Sequence, residues 1–377
     1  NRILYKKTYD NGVEVFEFST NPEDELYRVN FITVGTQQGN YIIKSSNAIS
    51  NIYEYVAPIA GVKQGEYEPI IQLVAPVKLQ LAVAKGAFRP DDKTAIDFEF
   101  AASKNDLNLY SPLDDDDNTG LAGQLSVAHQ LHKSSGDWVL NVTSDTDYIQ
   151  SNFRTIERLY RPEFNRDWNI ETLTSSQRLS DLGDQLFIRM GTQLTHTEKG
   201  ELKYQFQHLN FGDNYEGNRH LFFTKLNFDR LQLYSNSSLL QTAALFTNSM
   251  FYRSDNRLKY SYNKGWSGVN FSTEHNEKKQ VELDEFDPIS QKFQTYEVFT
   301  GLGDSTKVFV KLGYIHRVND SIQNNRLTKV NTSNTYYLDS KWIQTKNTNL
   351  SLYANYRNFK TTNTSSPSQK SVNSRLQ

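Results

Sequence analysis

Between residues 201 and 207 the chain reads Glu-Leu-Lys-Tyr-Gln-Phe-Gln, so Leu202, Tyr204 and Phe206 share one parity while Glu201, Lys203, Gln205 and Gln207 share the other. Successive side chains of a strand point to opposite faces, so a period of two predicts a strand with one apolar and one polar face. The same alternation sets Leu186, Ile188 and Met190 against Gln185 and Arg189, and Leu258, Tyr260 and Tyr262 against Arg257, Lys259, Ser261 and Asn263. Val308, Val310, Leu312 and Tyr314 repeat it, as do Leu350, Leu352, Ala354 and Tyr356, although Phe309, Ile315 and Tyr353 intrude on the other parity. Helical spacing is confined to Tyr148 to Tyr160, where Ile149, Phe153, Ile156 and Leu159 approach an i, i+4, i+7 pattern ahead of Pro162, so one short helical stretch is expected there.

The connections decide the kind of β protein. Short polar turns fall at Arg89 to Lys93, Ser134 to Asp137, Thr197 to Gly200, Asp229-Arg230, Lys264-Gly265, Gly303 to Thr306 and Lys346 to Thr348. A strand-like run flanks each on both sides, as a hairpin requires, and the seven turns together imply about fourteen strands. Longer connections are expected at Lys104 to Gly120, Ile149 to Gly183, Gly212 to Asn218, Asn276 to Gln291, Val318 to Val330 and Thr361 to Lys370. Short and long connections in alternation put all short turns at one end of an antiparallel sheet, which is the plan of an up-and-down transmembrane β-barrel. The expected fold class is therefore all-β, with a small β-rich segment over 1–75 and a barrel over 76–377. Val77 to Phe88 runs toward a short turn, so the 1–75 segment is expected on the long-loop, extracellular side. Ser371 to Gln377 reads as the opening of a further strand, and its lack of an aromatic end gives the expectation that the barrel is truncated there.

Composition narrows the function. The formal net charge is only −2, against the basic surplus of a nucleic-acid binder, so no nucleic-acid partner is expected. Cysteine is absent, which excludes disulfides, thiolate zinc sites and cysteine nucleophiles. Aromatic residues make up 13% of the chain, too many for a disordered one. No run of eighteen apolar residues occurs, which excludes a transmembrane helix and leaves a transmembrane β-barrel open.

Few residues point to chemistry. Asp114-Asp-Asp-Asp-Asn-Thr-Gly120 gathers four carboxylates, and Asp115, Asp117 and Thr119 with Gly120 at the sixth place copy the start of a calcium loop. The twelfth position is Ser126 instead of a bidentate Glu, so a calcium site on Asp115, Asp117 and Thr119 competes with an ordinary solvated acidic loop. His129 and His132, three apart on a strand, are expected on opposite faces. No GxSxG, Walker or dinucleotide motif occurs, and the chain is read as a non-enzyme. Arg154, Arg158, Arg161 and Arg166, interleaved with Phe153, Tyr160, Phe164 and Trp168, suggest a packed, salt-bridged helical plug or loop closing one end of the barrel, with an anionic-ligand site as the alternative. Trp138, Trp266 and Trp342 lie near short turns, where an interfacial aromatic girdle would sit.

Ala101-Ala-Ser-Lys-Asn-Asp-Leu-Asn-Leu-Tyr-Ser111, the Asp-rich loop, and Leu159-Tyr-Arg-Pro-Glu-Phe-Asn-Arg-Asp-Trp168 resemble large, poorly characterised outer-membrane proteins of Bacteroidota over about Val77 to Gln377. The resemblance implies a large barrel with long surface loops and partners in secretion, surface-protein assembly or glycan handling. The expectation is a non-enzymatic outer-membrane component of a transport, secretion or surface-assembly system, in contact with lipid and with protein partners. The alternative is a soluble cell-surface β protein that binds a glycan or a protein, with calcium in the Asp-rich loop.

Overall fold

The computed structural model describes residues 3–377 apart from 47–50, 72–74, 114, 135–136, 171–178, 305–306, 346–347 and 363–366. It is an all-β protein of antiparallel strands with almost no helix, divided into two compact units, Asn1–Pro76 and Val77–Gln377.

The first unit holds β1 (Tyr5–Asp10), β2 (Val13–Phe18), β3 (Leu26–Tyr27), β4 (Ile32–Thr33), β5 (Tyr41–Ser46), β6 (Asn51–Tyr55) and β7 (Tyr67–Glu68). They form a three-stranded sheet ordered β2-β1-β3 and a four-stranded sheet ordered β4-β7-β5-β6. Aromatic rings replace aliphatic side chains in its core: the Phe31 ring lies 5.0 Å from Tyr5 and 4.8 Å from Tyr41, both of which are buried. Buried phenols need partners, and here they accept backbone N–H groups, Tyr5 from Tyr53 at 2.9 Å and Tyr41 from Phe16 at 2.7 Å.

The second unit is one sheet of fifteen strands in sequence order. They are β8 (Lys78–Asp91), β9 (Thr94–Asp106), β10 (Thr119–Lys133), β11 (Trp138–Ile149), β12 (Gln185–His196), β13 (Gly200–Phe211), β14 (Tyr215–Phe228) and β15 (Leu231–Ala244). The meander continues through β16 (Thr247–Tyr262), β17 (Gly265–Gln280), β18 (Gln291–Gly303), β19 (Phe309–Gln323), β20 (Arg326–Gln344), β21 (Asn349–Thr361) and β22 (Gln369–Leu376). Among the described residues β8 and β22 are unpaired edges, and no sheet closes into a barrel. Each of the seven expected turns joins two strands, though 135–136, 305–306 and 346–347 within them lie outside the described residues.

Register carries the alternation across the sheet. Leu226, Leu233, Leu258, Val269, Val298, Tyr314, Tyr336, Tyr356 and Val372 are successive cross-strand partners from β14 to β22. One residue along, the row reads Lys225, Tyr234, Arg257, Asn270, Glu297, Ile315, Thr335, Arg357 and Ser371. One face is therefore apolar and the other polar. On the polar face, rings cover glycines: an added Cβ would stand 2.3 Å from the Tyr337 ring at Gly313 and 2.4 Å from the Trp266 ring at Gly301.

Four expectations are corrected. Gly212 to Asn218 and Val318 to Val330 are not long connections, because three residues join Phe211 to Tyr215 and two join Gln323 to Arg326. The stretch from Tyr148 to Tyr160 is not helical: Tyr148 and Ile149 end β11 against Leu186 and Gln185, and the only α-helix among the described residues is α1 (Phe164–Asp167), after Pro162. Strand pairing satisfies the backbone at 148–149, whereas proline suits the approach to a helix better than its interior. Trp266 falls on the polar face against Gly301, so it belongs to no girdle on the apolar face; Trp138 lies on the apolar face, and Trp342 is exposed. His129 and His132 share the apolar face because a register shift between Gln130 and His132 sets them opposite Val142 and Leu140.

Candidate functional site

After β11 the chain crosses the polar face as a strap, residues 150–170. It is pinned at its start by the Arg154 N–H donating to Ser103 Oγ at 2.9 Å. Gly120 is required there, since a Cβ would stand 2.2 Å from the Phe153 nitrogen. At the far end Asn169 takes a left-handed backbone, φ 50°, which asparagine tolerates. Its side-chain amide donates to Ser249 Oγ at 3.0 Å and Asn276 Oδ1 at 2.9 Å.

What seats the strap is a local reversal of the polar parity. In β13 the parity of Glu201, Lys203, Gln205 and Gln207 ends in Leu209 and Phe211, both fully buried. With Phe187, Tyr215, Leu240 and Phe251 they form the floor on which Trp168 and Ile170 pack, with Tyr160 and Phe164 alongside. The Trp168 ring lies 5.5 Å from Phe187, edge to face, and Tyr160 stacks on Phe164 at 3.8 Å. Burial pushes the Tyr160 phenol up to about 12, and Gln185 donates a hydrogen bond to its oxygen.

Around this cluster the sheet supplies arginines, each laid on a ring. Arg189 lies over Phe187 at 4.8 Å, Arg219 over Trp168 at 5.8 Å and Arg253 over Phe251 at 4.7 Å. Arg189 pairs with Asp147 at 2.9 Å, Arg253 with Asp167 of the strap at 2.8 Å, and Arg219 donates to Ser238 Oγ at 3.0 Å. The arrangement can bind and position a polar ligand.

The aromatic residues singled out in the sequence, Phe153, Tyr160, Phe164 and Trp168, do pack, whereas the arginines beside them play smaller parts. Arg166 makes an exposed pair with Glu163 at 3.5 Å, and Arg154 bonds backbone carbonyls of its own segment. Asp115 and Asp117 lie in a one-turn 3-10 helix, and Thr119 opens β10 opposite Lys104. Asp114 of that loop lies outside the described residues, and among the described ones no group of three or more His, Asp or Glu side chains is placed to hold a metal. Asp147, Arg189, Arg219 and Arg253 were missed; the available signal was their polar parity in strands that then turn apolar. Comparison with protein-family models, curated proteins and solved structures gave no match.

Proposed function

We propose that the Val77–Gln377 unit is a non-enzymatic outer-membrane β-barrel component of a transport, secretion or surface-assembly system, with its apolar face to lipid and its polar face to an aqueous interior. The observation that carries this reading is the apolar row from Leu226 to Val372. Val298, Tyr336 and Val372 in it are 58%, 55% and 75% exposed, so among the described residues no protein layer covers them. Burying one such side chain is worth about 1.5–3 kcal/mol, so a face of this extent is strongly driven out of water. Strand lengths support the reading, because about 9–11 tilted residues span a bilayer and β12 to β17 have 12 to 16. Exposed rings near the short turns, Phe88, Phe228, Tyr260 and Tyr262, suit an interface. In this reading the Asn1–Pro76 unit is extracellular, and the component works with protein partners in a membrane complex.

Nitroxide labels test it. A label at position 204 or 206 should meet a lipid-soluble relaxation agent, and one at 203 or 205 a water-soluble one. If all four positions see only the water-soluble agent and the protein stays monomeric without detergent, the membrane reading is lost and the soluble cell-surface alternative takes its place.

A further inference from the structure

Two cavities on the polar face meet beneath the strap. The first, about 680 Å³, lies between the strap and β8 to β14; the second, about 570 Å³, between β14 and β19; Asp167 and Arg219 line both. Each volume suits a small-molecule site.

Three observations define the chemistry they would take. The strap contributes ring surface through Tyr160 and Phe164, while the sheet opposite contributes polar groups in Gln124, Asp147, Arg189 and Gln207. Among the described residues the arginines and carboxylates lining the two cavities number five of each, so no net charge draws an ion in. Finally, the Arg189–Asp147 pair, joined at 2.9 Å, lines the first cavity together with Gln124 and Gln207, so a guanidinium, a carboxylate and two amides border the same space. A hydroxyl suits such a lining, because it accepts from N–H donors and donates to carboxylate and amide oxygens. A neutral ligand with hydroxyls at its edge and an apolar ring face meets all three conditions.

We propose that the two cavities form one site for a neutral oligosaccharide lying under the strap, with Tyr160 and Phe164 against sugar rings and Asp147, Arg189 and Gln207 on hydroxyls. The site lies wholly within the fifteen-stranded unit, so it does not depend on the membrane reading.

The test is calorimetric titration of the full chain, in a sugar-free detergent where it needs one, with hexasaccharides of glucose, mannose, galactose and xylose and with an oligogalacturonate as the acidic control. Saturable binding of at least one neutral hexasaccharide, in preference to the acidic one, is expected. Gln207→Ala and Tyr160→Ala should each weaken it by about tenfold or more, and Phe222→Ala on the apolar face should leave it unchanged. Gln124→Ala, which removes a polar group lining the first cavity, should also weaken binding and serves as a second probe if Tyr160→Ala loses its fold. No binding of any neutral hexasaccharide at millimolar concentration overturns the proposal, as does preference for the acidic one or binding indifferent to Gln207→Ala and Gln124→Ala.

Discussion

The Tyr215 hydroxyl donates a hydrogen bond to the backbone carbonyl of Trp168 at 2.6 Å, and both residues are buried. This bond fixes the strap to the start of β14. Tyr215→Phe keeps the ring and leaves that carbonyl unsatisfied, which should cost about 1–3 kcal/mol. Trp168→Ala, which also empties the floor, should cost about 3–5 kcal/mol. Both are read by chemical denaturation, and both should speed protease cleavage between Ser151 and Tyr160.

The Asp167–Arg253 pair should contribute far less. Its side chains are 37% and 30% exposed, and pairs that water still reaches couple weakly. A double-mutant cycle through Asp167→Asn and Arg253→Gln should return under about 1 kcal/mol. A coupling of several kcal/mol would mean that the pair, not Trp168, holds the strap.

Glycine substitutions should separate by what lies over them. Gly313→Ala drives a methyl into the Tyr337 ring and should destabilise by about 1–3 kcal/mol. Tyr337→Ala in the same chain should relieve that clash. Gly123, where a Cβ meets Phe100 at an ordinary 3.5 Å, should accept alanine with little change in thermal midpoint.

Asp184 predicts an acid dependence. The Ser151 N–H at 2.9 Å and then the Tyr148 hydroxyl at 2.7 Å hold its carboxyl below the usual carboxylate range. A group lowered in the folded state contributes stability that is fully present above the unfolded value of about 3.9 and is lost as pH falls through the folded value. Cleavage between Ser151 and Tyr160 should therefore be flat at neutral pH and rise only in that acid window. Asp184→Ala should show the raised cleavage already at neutral pH.

Within the membrane reading, Phe206→Arg should impair insertion, because an arginine at the bilayer midplane costs about 2–4 kcal/mol on a lipid-facing strand. Gln205→Arg, on the polar parity, should be nearly neutral. Heat-modifiable migration after refolding into vesicles measures both.

Much of this sheet was legible because polar turns punctuate amphipathic strands, as at Asp229-Arg230 between β14 and β15. The strand end within Leu240 to Asn256 could not be placed from the sequence, because Leu245 and Phe246 at the β15–β16 turn carry no polar signal. At Val318 to Val330 a long connection was expected, yet Asn324 and Asn325, φ 52° and 55°, make a two-residue hairpin turn inside that stretch. Asparagine pairs favour that turn, so its signal was present and misread. The strap was only half legible: its aromatics pack as expected, but their floor is assembled from β12 to β16, and sequence periodicity does not report which strand ends turn apolar together.

The strand order has a consequence for any closure. All fourteen pairings between β8 and β22 are antiparallel, so the two edge strands point the same way. A seam made by β8 directly on β22 would be a parallel one, with slanted hydrogen bonds, in an otherwise antiparallel cylinder. An antiparallel seam instead calls for an odd number of interposed strands and an even total. Val372 and Leu376 carry the apolar face to β22, whereas on β8 Phe88 keeps that face but Leu81 and Val83 take the polar parity; both margins present unpaired backbone among the described residues, so each is a template for such a strand.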